Sequence, residues 1–191
     1  RQGWNELAAQ WRGSRGALEQ RRGTAYPLQW NLGVDGSDWQ RHGNGLAATS
    51  SPAGDFVIET AGDRIIDTLL PSGTFGNLLS QKHSAILASP RFDVTQKALF
   101  VRVAGDGGAR HRYVVRDYPR DGTIYPLTKL EGGDWHWQRW DMDYWKGDTA
   151  HLEISSAMDQ AVLDETKLSP SWFGISEVIA MDEGQPEPRD E

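Results

Sequence analysis

The chain has 191 residues, with 20 Lys and Arg against 27 Asp and Glu, 21 Gly, nine Trp and no Cys. A composition that is 38% hydrophobic and 25% charged belongs to a globular chain long enough to bury one large core, not to a disordered one. The missing Cys excludes disulfides, thiol nucleophiles, Cys-bound zinc, iron–sulfur clusters and covalently attached haem.

Charge is uneven along the chain. Residues 1–22 hold five Arg and two Glu, whereas 182–191 hold five acids and one Arg. The body between them carries −6, which repels phosphate backbones and speaks against nucleic acid as a partner. No apolar run approaches the roughly 20 residues needed to cross a bilayer. The basic start and the Pro-containing acidic end, with no leader sequence or lipidation motif, read as a piece of a longer protein, with 182–191 as a linker tail.

In chain order, residues 3–21 are predicted helical. Trp4, Leu7, Ala8, Trp11 and Leu18 recur at three- and four-residue spacing and form one apolar stripe, and Gly23 can end the helix. Helix and connector occupy 1–27, and a β-domain occupies 28–181. The run Asp35-Gly36-Ser37-Asp38-Trp39 sets Asp and Ser oxygens around a Gly turn. That pattern fits an Asx-turn, and it also fits a hard cation such as calcium, with Glu177 as a distant oxygen if two strand ends meet.

From Leu28 onward, short stretches alternate apolar and polar residues between Gly, Pro, Asp and Ser. Strands are predicted over 55–60, 64–70, 86–89, 97–104, 111–117, 135–141, 151–156 and 175–181. In the fourth of these, Leu99, Val101 and Val103 share one face and Phe100 and Arg102 the other. So many strands without helical spacers indicate an all-β fold, an antiparallel β-sandwich or jelly roll with an N-terminal α-helix.

Catalytic signatures are missing. There is no G-x-S-x-G elbow, no phosphate loop and no H-E-x-x-H, and the five His have no ligand spacing. Two segments point to ligand recognition instead. In 135–141, Trp135, Trp137 and Arg139 fall on one strand face, and His136, Gln138 and Trp140 on the other. An exposed indole set suits a sugar ring, whose C–H face stacks on it while its hydroxyls need Arg, His, Asp or Asn; the alternative is that these rings are core. The second segment is 110–116, where Arg112 is expected beside Arg102 on one sheet face, because the Asp106–Ala109 turn reads as a hairpin.

The stretches P-S-G-T-F-G-N-L-L-S-Q-K-H at 71–83 and L-A-S-P-R-F at 87–92 resemble a module of large planctomycete proteins that couple a cytochrome c-like domain to domains of unknown function. The likeness continues through V-R-V-A-G (101–105), R-Y-V-V (112–115), D-Y-P (117–119), I-Y-P (124–126), W-D-M-D-Y-W-K-G (140–147), A-H-L-E (150–153) and S-W-F-G (171–174), covering roughly 56–181. A further set, S-P-R-F (89–92), V-A-G-D-G-G (103–108), W-D (140–141), K-G-D-T-A-H-L-E (146–153) and W-F-G-I (172–175), is similar to the β-sandwich at the end of fructan-cleaving glycosidases and to galactose-binding-type jelly rolls. The resemblance implies a non-catalytic carbohydrate-binding module outside the cytoplasm, with a structural calcium at Asp35, Asp38 and Glu177 and no haem in this chain. The expected contacts to a polysaccharide are Trp135, Trp137 and Tyr125 by stacking, and Lys82, His83, Arg102, Asp106 and Arg112 by hydrogen bonds and charge. The competing expectation is a module that docks other domains of the parent protein through its aromatic surface. Of the remaining Trp, 39, 140, 145 and 172 are expected in the core, and Trp30 is unassigned.

Overall fold

The computed structural model describes residues 23–34, 36–58, 66–118, 127–158 and 170–189, together with Gly3, Asn5, Glu6, Ala8, Ala9, Arg12, Gly13, Arg15 and Gly16. Thirteen strands are defined among them: β1 (Leu28–Asn31), β2 (Gln40–His42), β3 (Phe56–Ile58), β4 (Ile66–Leu69), β5 (Thr74–Phe75), β6 (Ile86–Ala88), β7 (Phe92–Asp93), β8 (Ala98–Asp106), β9 (Arg110–Val115), β10 (Thr128–Lys129), β11 (His136–Asp141), β12 (Thr149–Ser155) and β13 (Trp172–Met181). All eight predicted strands are present with shifted ends. The five that the sequence reading missed (β1, β2, β5, β7 and β10) have at most four residues.

Two antiparallel sheets form the fold. One has the order β1-β13-β8-β11 with β5 also on β13; the other has the order β10-β9-β12-β6-β2 with β7 also on β12. β3 and β4 make a separate hairpin. Period-2 alternation sends Leu99, Val101 and Val103 of β8, Phe173, Ile175 and Val178 of β13, and Leu152 and Ile154 of β12 into one core between the sheets. A bulge at Ser176 on β13 switches the alternation, so that Val178 and Ala180 still point inward. β8 is apolar on both faces, since outward Ala98 and Phe100 pack with Tyr26, Ile179, Met181 and Trp137 in a second, smaller cluster.

The hairpin expectation for β8 and β9 requires correction. β8 pairs with β13 and β11, while β9 pairs with β12 and β10, so the turn between them carries the chain from one sheet to the other. At that crossing Gly107 has φ +67°, and a Cβ there would lie 1.9 Å from the Pro170 carbonyl oxygen, so only glycine fits. Arg102 and Arg112 therefore do not share a face.

Of the expected N-terminal stripe, Trp4, Leu7, Trp11 and Leu18 lie outside the described residues. The described residues of 3–16 have helical backbone and are exposed, and Arg12 Nε donates to the Ala8 carbonyl at 3.0 Å. No α-helix with defined ends, and no packing of one on the sandwich, belongs to the described architecture. At the other end, the Asp182 carboxylate accepts from the Lys97 amide at 3.0 Å, the Tyr26 hydroxyl donates to the Pro186 carbonyl at 2.9 Å, and Pro188 is buried. No described helix is long and apolar enough to cross a membrane.

Candidate functional site

The turn before β6 and the edges of β8, β11 and β13 enclose a cavity of about 740 Å³ on the outer side of the β13–β8–β11 sheet. Its chemistry comes from Trp135, Trp172, Arg102, Asn77 and Gln81, set against an apolar wall that includes Leu70 and Phe75. Each residue is placed by a local reason. Arg102 is the outward residue of β8 directly opposite Trp137 of β11, and its guanidinium carbon lies 5.4 Å from the Trp135 ring centroid, a cation–π contact. The edge of Phe75 meets Trp135 with centroids 6.0 Å apart. Gly174 makes room for both rings, since a Cβ there would stand 3.0 Å from each. Trp172 precedes the buried run of β13 and packs toward Gly133. Asn77 lines the cavity, and its side-chain oxygen is buried without a hydrogen-bond partner.

The expected contact residues are scattered. Trp135 and Arg102 meet in this cavity. Trp137 belongs instead to the outer apolar cluster with Phe100 and Ile179. Asp106 caps its own turn, accepting from the Gly107 amide at 2.7 Å. Lys82 and His83 are exposed in the loop that follows Gln81. Arg112 is on the opposite outer face, and Tyr125 lies outside the described residues. The sequence reading missed Asn77 and Gln81 and placed Trp172 in the core. Trp39, Trp140 and Trp145 are core, as expected, and Trp30 packs edge-on against Trp39 and Phe92.

Two of the three expected calcium residues are described, and they have different surroundings. Glu177 accepts from Gln29 Nε2 at 2.9 Å within the β1–β13 pair, whereas Asp38 lines a cavity on the other sheet with Gln40 and His42. Asp35 lies outside the described residues. Among the described residues no group of three or more His, Asp or Glu can hold a metal ion.

On the other outer face, ion pairs run in a line. Arg91 holds Asp117 at 3.2 and 2.6 Å. His151 Nδ1 lies 3.7 Å from Asp117 and its Nε2 3.2 Å from Glu153. Glu153 also takes Nε and Nη2 of Arg112 at 2.8 and 2.7 Å. The His151 hydrogen bond first, and then Arg112, hold the Glu153 carboxyl below its ordinary value against the opposing effect of burial.

His111 is a buried group with a different consequence. It points between the sheets at 2% exposure, with neither ring nitrogen hydrogen-bonded and Trp140 4.9 Å away. Burial first, and the charge of His136 second, push its pKa from 6.5 down to about 3. The unfolded chain therefore binds the proton first. The stability of this neutral imidazole is complete above the unfolded value and is lost progressively as pH falls toward the folded one, at about 1.4 kcal/mol per pH unit. Urea unfolding is expected to show about 2 kcal/mol less stability at pH 5 than at pH 7 from this group, and His111→Gln is expected to lose that increment of pH dependence. Equal pH slopes in the two proteins would contradict the assignment.

No family model matches the chain, and no curated protein matches it. Among solved structures it is similar to a family 61 carbohydrate-binding module in complex with β-1,4-galactotriose, at 11% identity over 82% of this chain and 97% of that one, with a TM-score of 0.40. It is also similar to the K3 cleaved adhesin domain of Lys-gingipain from Porphyromonas gingivalis W83, at 10% identity over 83% and 99% of the two chains, TM-score 0.44. A mutant family 29 carbohydrate-binding module aligns at 9% identity over 81% and 94%, TM-score 0.37.

Proposed function

We propose that the chain is a non-catalytic carbohydrate-binding module of a larger protein, and that its ligand is a polysaccharide segment held in the Trp135 cavity. The observation that carries this reading is the juxtaposition of two indoles, a guanidinium and two side-chain amides, Asn77 and Gln81, around one open cavity. Flat apolar rings take the C–H face of a pyranose, and the planar polar groups take its hydroxyls. An extracytoplasmic location accompanies such a ligand.

One feature supports the alternative of interdomain docking. Phe56 and Leu69, directly opposite each other on the β3–β4 hairpin, are 52% and 67% exposed, and Leu69 lines the cavity. Affinity electrophoresis against soluble β-1,4-galactan, β-1,4-mannan, xylan and polygalacturonate separates the two. Retardation by one glycan that is weakened in Trp135→Ala is the expected result. No retardation by any member of the panel would contradict glycan binding and leave docking as the use of this surface.

A further inference from the structure

The second sheet carries a trough on its outer face. β6 presents only Ile86 and Ala88 outward, and Ser155 at the end of the central strand β12 is also small, so the floor is low there, while Glu153 and His151 rise from β12 beside it. The strands on either side of the β12–β6 pair present long polar groups: Arg110 and Arg112 from β9, Gln40 and His42 from β2. Register locks this arrangement. Glu153 sits directly opposite both Arg112 and Ala88, and Ala88 opposite Gln40; Ser155 sits opposite both Arg110 and Ile86, and Ile86 opposite His42. Two cavities of about 430 and 660 Å³ meet over Ile86 and Glu153. From β9 to β2 the trough is three strand spacings wide, about 14 Å.

Three features fit a ligand. The Arg112 guanidinium is held by Glu153, and that of Arg91 by Asp117, so each is oriented before anything binds and loses little freedom on binding. Each still has N–H groups beyond those spent on the carboxylate, and the carboxylates retain lone pairs, which suits a partner that both donates and accepts. The end wall is built on strain: Arg116 and Asp117 have φ 51° and 59°, in the left-handed region, and Asp117 is tied down by Arg91. None of the exposed large apolar side chains among the described residues lines the trough, so it lacks the apolar anchors of a protein interface.

We propose that this trough is a second glycan-binding site, so that one chain holds sites on its two opposite outer faces and cross-links polysaccharide strands. The geometry is independent of the Trp135 cavity, but glycan as the ligand class rests on the function proposed for it. The test uses the full chain with oligosaccharides of whichever panel polysaccharide is bound. Calorimetry is expected to give two oligosaccharides per chain. Ala88→Arg, which fills the floor, and separately the pair Gln40→Ala with His42→Ala, are expected to give one, as is Trp135→Ala. With long soluble polymer, the native chain is expected to raise viscosity, and each single-site variant is not.

One oligosaccharide per chain, unchanged by both trough variants and lost in Trp135→Ala, would overturn the trough and leave the cavity reading intact. Binding lost in both trough variants but unchanged in Trp135→Ala would overturn the cavity instead. No binding by any panel member would overturn both. Circular dichroism on each variant separates a lost site from a lost fold.

Discussion

Trp135→Ala is expected to weaken oligosaccharide binding at the cavity by roughly 30-fold, about 2 kcal/mol, while leaving the unfolding midpoint close to that of the native chain. The affinity term comes from removing an aromatic anchor at the centre of a binding surface, where truncations of about 2 kcal/mol or more concentrate. The stability term is small because Trp135 is only partly buried and lies just outside β11, beyond the main core. Its loss also releases Arg102, whose guanidinium carbon rests 5.4 Å from the ring centroid, so planar donor and flat platform are lost together. Trp135→Phe keeps a ring and is expected to lose less. Isothermal calorimetry on the three proteins checks the order, and equal affinities would remove Trp135 from the site.

Phe173→Ala is expected to have the opposite profile, with a large loss of stability of about 3–5 kcal/mol. Phe173 is 0% exposed on β13, in the core between the sheets, and its ring lies 3.4 Å from where a Cβ on Gly76 would stand. Truncation leaves a cavity that strand pairing on both sides prevents from collapsing. Against a total of about 5–15 kcal/mol for a domain, that loss unfolds a substantial fraction of molecules on modest warming. Urea denaturation measures it, and a shift below about 1 kcal/mol would show that the two sheets are not held together through this residue.

The contrast between these substitutions shows which features were legible in the sequence. Alternation in β8 and β11 identified Leu99, Val101 and Val103 as one face and put Trp135 and Trp137 on the same side of their strand, because a period of two is a local property. The sheet that each strand joins is not local. A turn at Asp106–Ala109 reads the same whether it closes a hairpin or crosses between sheets, and so Arg102 and Arg112 were expected together. The same limit hid Trp172, whose partner surface is Gly133 some forty positions away, and Asn77, whose side-chain oxygen is buried only in the folded chain. Asp106 erred in the other direction, because an Asp before Gly-Gly caps its own turn and that cap was readable from the chain. Trp137 was placed on the right face, but the tertiary neighbours Phe100 and Ile179 cover it.

The most direct measurement of the central claim is an indole ¹H–¹⁵N titration with an oligosaccharide of the polysaccharide that retards the chain. The Trp135 and Trp172 indole signals are expected to shift together and saturate, while the core indoles of Trp39, Trp140 and Trp145 stay in place. Saturable binding that leaves the Trp135 and Trp172 signals unmoved would contradict it.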